Sequence, residues 1–270
     1  MTETQRKLLT ALQWFHHFCS EHNLRYYAVG GTCLGAVRHK GFIPWDDDID
    51  VGMPRKDYKK FLELTSAIQD NELYKVEYLP SKHGFTYPYC KLYDIGTTLI
   101  ENSRYKIKRG IYIDVFPLDG IGNNPEESQA NYSKINKRLN LLMTRVCALN
   151  RRRDFYKNVA IVLSRCIPNI ICDEIKLIKE IDYMCSDRDF DTCKYVGNLV
   201  GNWNYKEIMP REYFGKPTLY TFEGFQVYGP ADYDSYLKNL YGDYLKLPPM
   251  EKQKSHHDYL YLDLNRSYLE

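Results

Sequence analysis

Four aspartates fall within five positions of the segment Trp45-Asp46-Asp47-Asp48-Ile49-Asp50-Val51. Like charges at that spacing repel one another strongly unless a cation neutralises them. If residues 48–52 form a strand, side chains alternate: Asp48 and Asp50 share one face, and Ile49 and Val51 turn to the core. Asp46 has the parity of the acidic face. Paired carboxylates at i and i+2 suit a hard divalent cation such as Mg2+, with Mn2+ as the alternative, because such ions take oxygen ligands. Asp114 is the one acid in Ile111-Tyr112-Ile113-Asp114-Val115-Phe116 and faces away from Ile111, Ile113 and Val115. On a neighbouring strand it completes a metal set of Asp46, Asp48, Asp50 and Asp114.

Gly30-Gly31 supplies a second kind of chemistry. A strand that ends in two glycines and turns into a helix aims backbone N–H groups at one point, a geometry that binds phosphate. Arg38, His39 and Lys40 add positive charge for a diphosphate. Phosphate cradle and acidic cluster together indicate phosphoryl or nucleotidyl transfer. A calcium loop of the EF-hand kind explains Asp46, Asp48 and Asp50 less well. Val51 stands where that loop requires glycine, Pro54 interrupts it, and its twelfth position is Asp57.

These residues need elements to hold them. The spacing of Leu8, Leu12, Phe15 and Cys19 predicts a helix over 4–21, followed by a strand over 24–29. A helix over 32–38 follows, with Gly31 or Thr32 near its N-cap, and another over 57–68. The alternation at 110–118 predicts a strand ending at Pro117-Leu118-Asp119-Gly120. From about 126 to 185 the pattern is helical and basic, broken at Pro168. The last third reads as short strands and loops with a helix over 233–240. The fold class is α+β with a helical insert, divided as 1–125 (core), 126–195 (insert) and 196–270 (the part completing the core). In the insert, Arg145, Arg151, Arg152, Arg153, Lys157 and Arg165 mix with Val159, Ile161, Val162, Leu163, Ile167, Ile170 and Ile171. That mixture suits a core-packing lobe with a solvated basic face, or an interfacial element facing a membrane.

The 270 residues carry 37 Lys and Arg against 35 Asp and Glu, a net +2 that excludes a strongly basic nucleic-acid clamp. No nucleic acid partner is expected. Eight cysteines show neither C-x-x-C pairs nor zinc-site spacing, so reduced thiols are expected. Residues 1–20 lack the apolar run of a secretory leader, and no stretch has the length of a spanning helix. The expected compartment is the cytoplasm, at or near the inner face of its membrane. Tyrosine is in excess, 25 beside 11 Phe and 3 Trp.

The stretch Val29 to Arg55 closely resembles the LicD family, bacterial phosphocholine transferases of the nucleotidyltransferase-like superfamily. Further matching pieces are Lys91 in Tyr89-Cys90-Lys91-Leu92-Tyr93-Asp94, the 113–119 strand, Phe222-Glu223-Gly224, Tyr241-Gly242-Asp243-Tyr244, and Leu247-Pro248-Pro249 through His256-His257. The resemblance implies a nucleotidyltransferase-like mixed sheet flanked by helices. It also implies Mg2+-dependent transfer of phosphocholine from CDP-choline to a sugar hydroxyl of a teichoic acid or lipopolysaccharide precursor, a lipid-linked glycan. Relatives transfer ribitol phosphate or other phospho-alditols, and nucleotidyl transfer from an NTP uses the same acids. By the same resemblance Asp46, Asp48, Asp50 and Asp114 hold metal. Gly30, Gly31 and Thr32 hold the donor diphosphate, with His39 beside it. Lys91 and Arg38 stabilise the departing CMP, Asp46 is the base, and His256 or His257 reaches the donor. A quaternary ammonium favours aromatic faces, which makes Trp45, Tyr87, Tyr89, Tyr93, Trp203 and Tyr205 candidate choline contacts.

Overall fold

A computed structural model describes residues 1–67, 73–79, 84–149, 154–167, 173–255, 257 and 259–270. Helix α1 (Glu3–Glu21) opens on a reciprocal cap between Thr2 and Gln5 and buries Leu8, Leu12, Phe15 and Cys19 at helical spacing. Its Gln5 side chain donates to the Asp46 carbonyl at 2.8 Å, tying the helix to the acidic segment. Strand β1 (Tyr27–Ala28) leads into α2 (Gly30–Arg38). That helix starts two residues before the predicted point, with Val29 as N-cap, because Gly30 takes φ +53° and its N–H is satisfied by the Tyr236 hydroxyl at 2.9 Å.

Strand β2 (Asp50–Pro54) begins two residues later than predicted. Pairing starts at Asp50, while residues 46–49 run in from a turn in which the Asp46 N–H donates to the Ile43 carbonyl. Strand alternation therefore does not place Asp46 and Asp48. Helix α3 (Arg55–Ala67) follows directly, and Ile68, its predicted end, lies outside the described residues. Next come β3 (Tyr74–Glu77), β4 (Cys90–Asp94), β5 (Thr98–Glu101), β6 (Lys108–Arg109) and the long β7 (Tyr112–Gly122). The last runs past the predicted stop at Pro117 because its far end gains a new partner strand, β8.

The helical segment holds α4 (Pro125–Val146), α5 (Phe155–Cys166) and α6 (Glu174–Cys185). Arg151, Arg152, Arg153, Pro168, Ile170, Ile171 and Cys172 lie outside the described residues. Then follow β8 (Tyr195–Gly197), β9 (Ile208–Pro210), α7 (Arg211–Phe214), β10 (Thr218–Phe222), β11 (Phe225–Gly229), α8 (Tyr233–Tyr241) and β12 (Tyr259–Asp263).

The main sheet has the order β1-β2-β7-β4-β3, with β2 and β7 parallel and its other pairs antiparallel. From the far end of β7 the sheet continues through β8 to β9. It separates two cores, as alternation demands. Ile49, Val51, Met53, Ile113 and Val115 pack with α1 and Phe61, whereas Phe116, Leu118 and Ile121 pack with residues of α4, α6 and α8. A buried bidentate pair, Arg55 to Asp119 at 2.7 and 2.6 Å, joins α3 to β7, and Arg55 also reaches Asp182 of α6.

Two of the C-terminal motifs are braces. Glu223 and Gly224, at φ +50° and +76°, make the tight turn between β10 and β11. The Glu223 carboxylate there accepts the Phe42 N–H at 3.1 Å. Past α8, the Tyr244 carbonyl accepts from Arg38 at 2.7 Å and so pins the end of α2. Among the described residues, seven cysteines are free thiols and no helix is long and apolar enough to cross a membrane.

Candidate active site

Register brings the chemistry together. Asp50 and Asp114 are partners on β2 and β7, and Asp114 and Lys91 are partners on β7 and β4. Partners in register project to one face, so two acids and an ammonium form a row. Lys91 is 1% exposed. Its Nζ lies 3.1 Å from Asp114 Oδ1 and 3.8 Å from Glu101 Oε1. It also stands 3.3 Å from the ring centre of Tyr112 and 4.1 Å from that of Tyr87, with Tyr89 at 6.0 Å. Glu101 accepts both tyrosine hydroxyls, Tyr112 at 2.7 Å and Tyr87 at 2.8 Å, and so fixes the rings around the ammonium. Rings and carboxylates replace the water that a buried cation loses.

This row lines a cavity of about 510 Å3 together with Gly30, Asp48, Trp203, Glu207 and His257. His257 closes one side: Nδ1 is 2.9 Å from Asp47 Oδ1 and Nε2 is 3.5 Å from Asp48 Oδ2. Ser255 also donates to Asp47, so Asp47 docks the C-terminal segment against the site. His256 lies outside the described residues.

The carboxylates hold protons unusually well. Burial, then the charges of Asp48, Asp114 and Asp46, push Asp50 well above the usual carboxylate range. Burial, with Asp48 next, takes Asp46 up to about 8. Burial raises Asp114 to about 6 against the opposing pull of Lys91. Asp46 and Asp48 are within hydrogen-bonding reach of each other. Such a cluster is electrostatically incomplete, the condition that a bound cation relieves.

Of the remaining predicted residues, Gly31, Thr32, Arg38 and His39 are not in the cavity wall, which Gly30 does line. A Cβ at Gly31 would stand 2.7 Å from Asp46 Oδ2, and one at Gly30 3.3 Å from Asp50 Oδ2, so the glycines let the helix start approach the acids. The Thr32 hydroxyl accepts the Asp50 N–H at 2.8 Å and positions that aspartate. Arg38 donates to the Tyr244 carbonyl and, at 2.9 Å, to His39. Of the candidate choline contacts, Tyr87 and Tyr89 turn to Lys91, and Tyr93 packs edge-on against Tyr112. Trp203 lines the cavity and meets Tyr241 edge-on at 5.0 Å. Trp45 packs with the second core and Tyr205 with Tyr132.

Residues 23–155 match the family model described as LicD/FKTN/FKRP, nucleotidyltransferase domain. Over 261 residues, 95% of this chain and 96% of the relative, the sequence is 32% identical to the lipopolysaccharide cholinephosphotransferase LicD of Haemophilus influenzae. This chain belongs to the LicD family. An uncharacterized Rickettsia typhi protein is 30% identical over 142 residues, covering 44% of this chain and 46% of that protein. Human ribitol 5-phosphate transferase FKRP is 43% identical over 44 residues, 16% of this chain and 9% of that protein.

For this LicD-family chain, the donor set suits a hard cation: the acids offer carboxylate oxygen, and buried Asp114 Oδ1 has no well-aligned hydrogen bond. Among the described residues no three His, Cys, Asp or Glu side chains already converge as metal ligands. The fit is therefore one of chemistry and charge, and closing the set round an ion requires carboxylate movement. Sequence reasoning passed over Asp47, Glu101 and Glu207. Asp47 meets the site through Ser255 and His257, and Glu101 through Tyr87, Lys91 and Tyr112, whereas Glu207 is held locally by the Trp203 N–H four residues before it.

Proposed function

We propose that this protein transfers phosphocholine from CDP-choline to a hydroxyl of a cell-surface glycan precursor, of lipopolysaccharide or teichoic acid type, with Mg2+ held by Asp48, Asp50 and Asp114. The observation that carries the reading is the cavity wall on which these three acids meet the caged ammonium of Lys91. Whole-chain similarity to a cholinephosphotransferase supports the choice of group transferred. Bound there, the cation neutralises phosphoryl oxygens as charge builds on them.

The chain's own groups do the rest. The acceptor oxygen bonds to the choline-bearing phosphorus as that phosphorus loses its bond to the CMP oxygen, and CMP departs with the electron pair. The acceptor proton passes to the carboxylate of Asp46, which stands within hydrogen-bonding reach of Asp48. Lys91 cannot turn away from its ring cage, so its charge stays fixed beside Asp114 for the departing CMP. The 44-residue match to a ribitol 5-phosphate transferase favours a second reading, in which the donor carries ribitol phosphate on the same machinery.

Purified protein with Mg2+ and a glycan acceptor is offered CDP-choline, CDP-ribitol or CTP in parallel. Faster CMP release from CDP-choline supports the first reading and from CDP-ribitol the second. Pyrophosphate from CTP would show nucleotidyl transfer instead.

A further inference from the structure

Helix α5 is inside out. Phe155, Val159, Val162, Leu163 and Cys166 recur at i, i+4, i+7, i+8 and i+11, the apolar stripe that normally faces a core. Here the stripe is exposed: Phe155 is 84% and Leu163 63% accessible, and Tyr156 extends it. Only Ile161 and Ser164 of the helix are buried. Polar clasps to the end of α4 hold it in place: buried Arg145 donates to the Ser164 carbonyl, and Arg165 donates to the Cys147 carbonyl at 2.6 Å. The predicted alternatives for this segment thus part: for α5 the apolar residues other than Ile161 stay exposed, and Arg145 is a buried clasp rather than part of a solvated basic face.

We infer that α5 lies on an anionic lipid surface, with Phe155, Tyr156, Val159, Val162 and Leu163 at the headgroup–acyl boundary. Two observations select a membrane over a second copy of the chain. From Phe155 to Cys166 the helix carries Lys157 and Arg165 and no acid. The pair of Lys157 with Asp154 just before it joins two exposed groups and is weak. These cations lie beside the apolar stripe rather than on it and give the helix a net positive charge, which anionic headgroups attract. The face is also continuous with the candidate active site. Met143 and Ala148 line the cavity, and Met143 and neighbouring Leu149 expose apolar surface at the α4 end to which α5 is clasped. A membrane on α5 therefore borders the cavity rim, where a lipid-anchored acceptor arrives.

The full chain is floated with phosphatidylcholine vesicles, with and without phosphatidylglycerol, over a salt series. Binding to the anionic vesicles that weakens with salt is expected. The double variant Phe155→Ser, Leu163→Ser should bind at least roughly tenfold more weakly with an unchanged melting temperature, since both residues are exposed. No binding of the parent at low salt, or equal binding by the variant, overturns the inference. So does a parent dimer in sedimentation equilibrium that the variant abolishes, which would assign the face to self-association. None of these readouts involves CDP-choline, so they stand or fall apart from the proposed reaction.

Discussion

Lys91 and Asp114 face each other across the β4/β7 pair, with Nζ 3.1 Å from Oδ1 and the Tyr112 ring closing over the ammonium. The protein thus builds a buried ammonium into its acidic cluster and uses two tyrosines to hold it there. That arrangement makes Lys91 a fixed part of the site rather than a flexible arm. It also explains part of the tyrosine excess: Tyr87 and Tyr89, expected to meet a ligand's quaternary ammonium, turn to an internal cation.

Replacing that cation tests its role. Lys91→Met keeps the length of the side chain and removes the charge, and the rate of CMP release should fall roughly 100- to 1,000-fold, the scale of losing a preorganised electrostatic group. The drop should appear in kcat at saturating donor. An unchanged kcat would reduce Lys91 to packing.

The acids should behave oppositely in catalysis and in stability. Asp50→Asn is expected to lower CMP release by roughly three orders of magnitude, since metal stabilisation is worth several kcal/mol. Without metal, Asp50 is a buried acid among like charges, so the same variant should melt at a higher temperature than the parent in EDTA at pH 8. A lower melting temperature would mean that the carboxylate is structural.

Glu207 gives a pH signature. Burial raises its pKa from 4.5 to about 7, opposed by bonds from the Trp203 N–H and Asn198. Between those values the folded state keeps a proton that the unfolded chain releases, so this group makes stability fall as pH rises from about 4.5 to 7. Glu207→Gln keeps an acceptor for Trp203 and cannot ionise. Denaturant melts should show it more stable than the parent by as much as roughly 3 kcal/mol at pH 8, with the gain gone at pH 4. A gain independent of pH would refute the assignment.

Arg55 and Asp119 test the frame behind the site. Asp119 is 0% exposed, so Arg55→Leu strands a buried carboxylate and should cost about 3–5 kcal/mol in urea denaturation. Arg55→Leu with Asp119→Leu should recover much of that loss. A double variant as unstable as the single would show that the cost is lost packing around Arg55.

Locally encoded features were legible in the sequence. Alternation at Ile111–Phe116 identified the strand and the outward face of Asp114, and four crowded aspartates marked the acidic site. The glycine pair marked a strand-to-helix turn, but the helix begins at Gly30 rather than at 32, and the close approach of the pair to Asp46 and Asp50 depends on tertiary packing. The cage of Lys91 was not legible, since Tyr87, Glu101 and Tyr112 meet only through strand pairing and a loop. Asp47 gains its partners from residues more than 200 positions away. The strand over 48–52 was misplaced because the alternation of Asp48, Ile49, Asp50 and Val51 persists in an extended segment before pairing begins. In α5 the apolar period was visible, but whether its stripe faced core or solvent depended on where α4 ends.

Phosphorus NMR of the reaction itself tests the central claim most directly. CDP-choline, Mg2+ and a lipopolysaccharide-type glycan acceptor are followed with parent protein and with Asp50→Asn. Loss of the diphosphate signals, with CMP and a new glycan phosphodiester appearing in equal amounts only with the parent, is the expected result. CDP-choline left intact by the parent, or CMP formed without a glycan phosphodiester, would contradict the account.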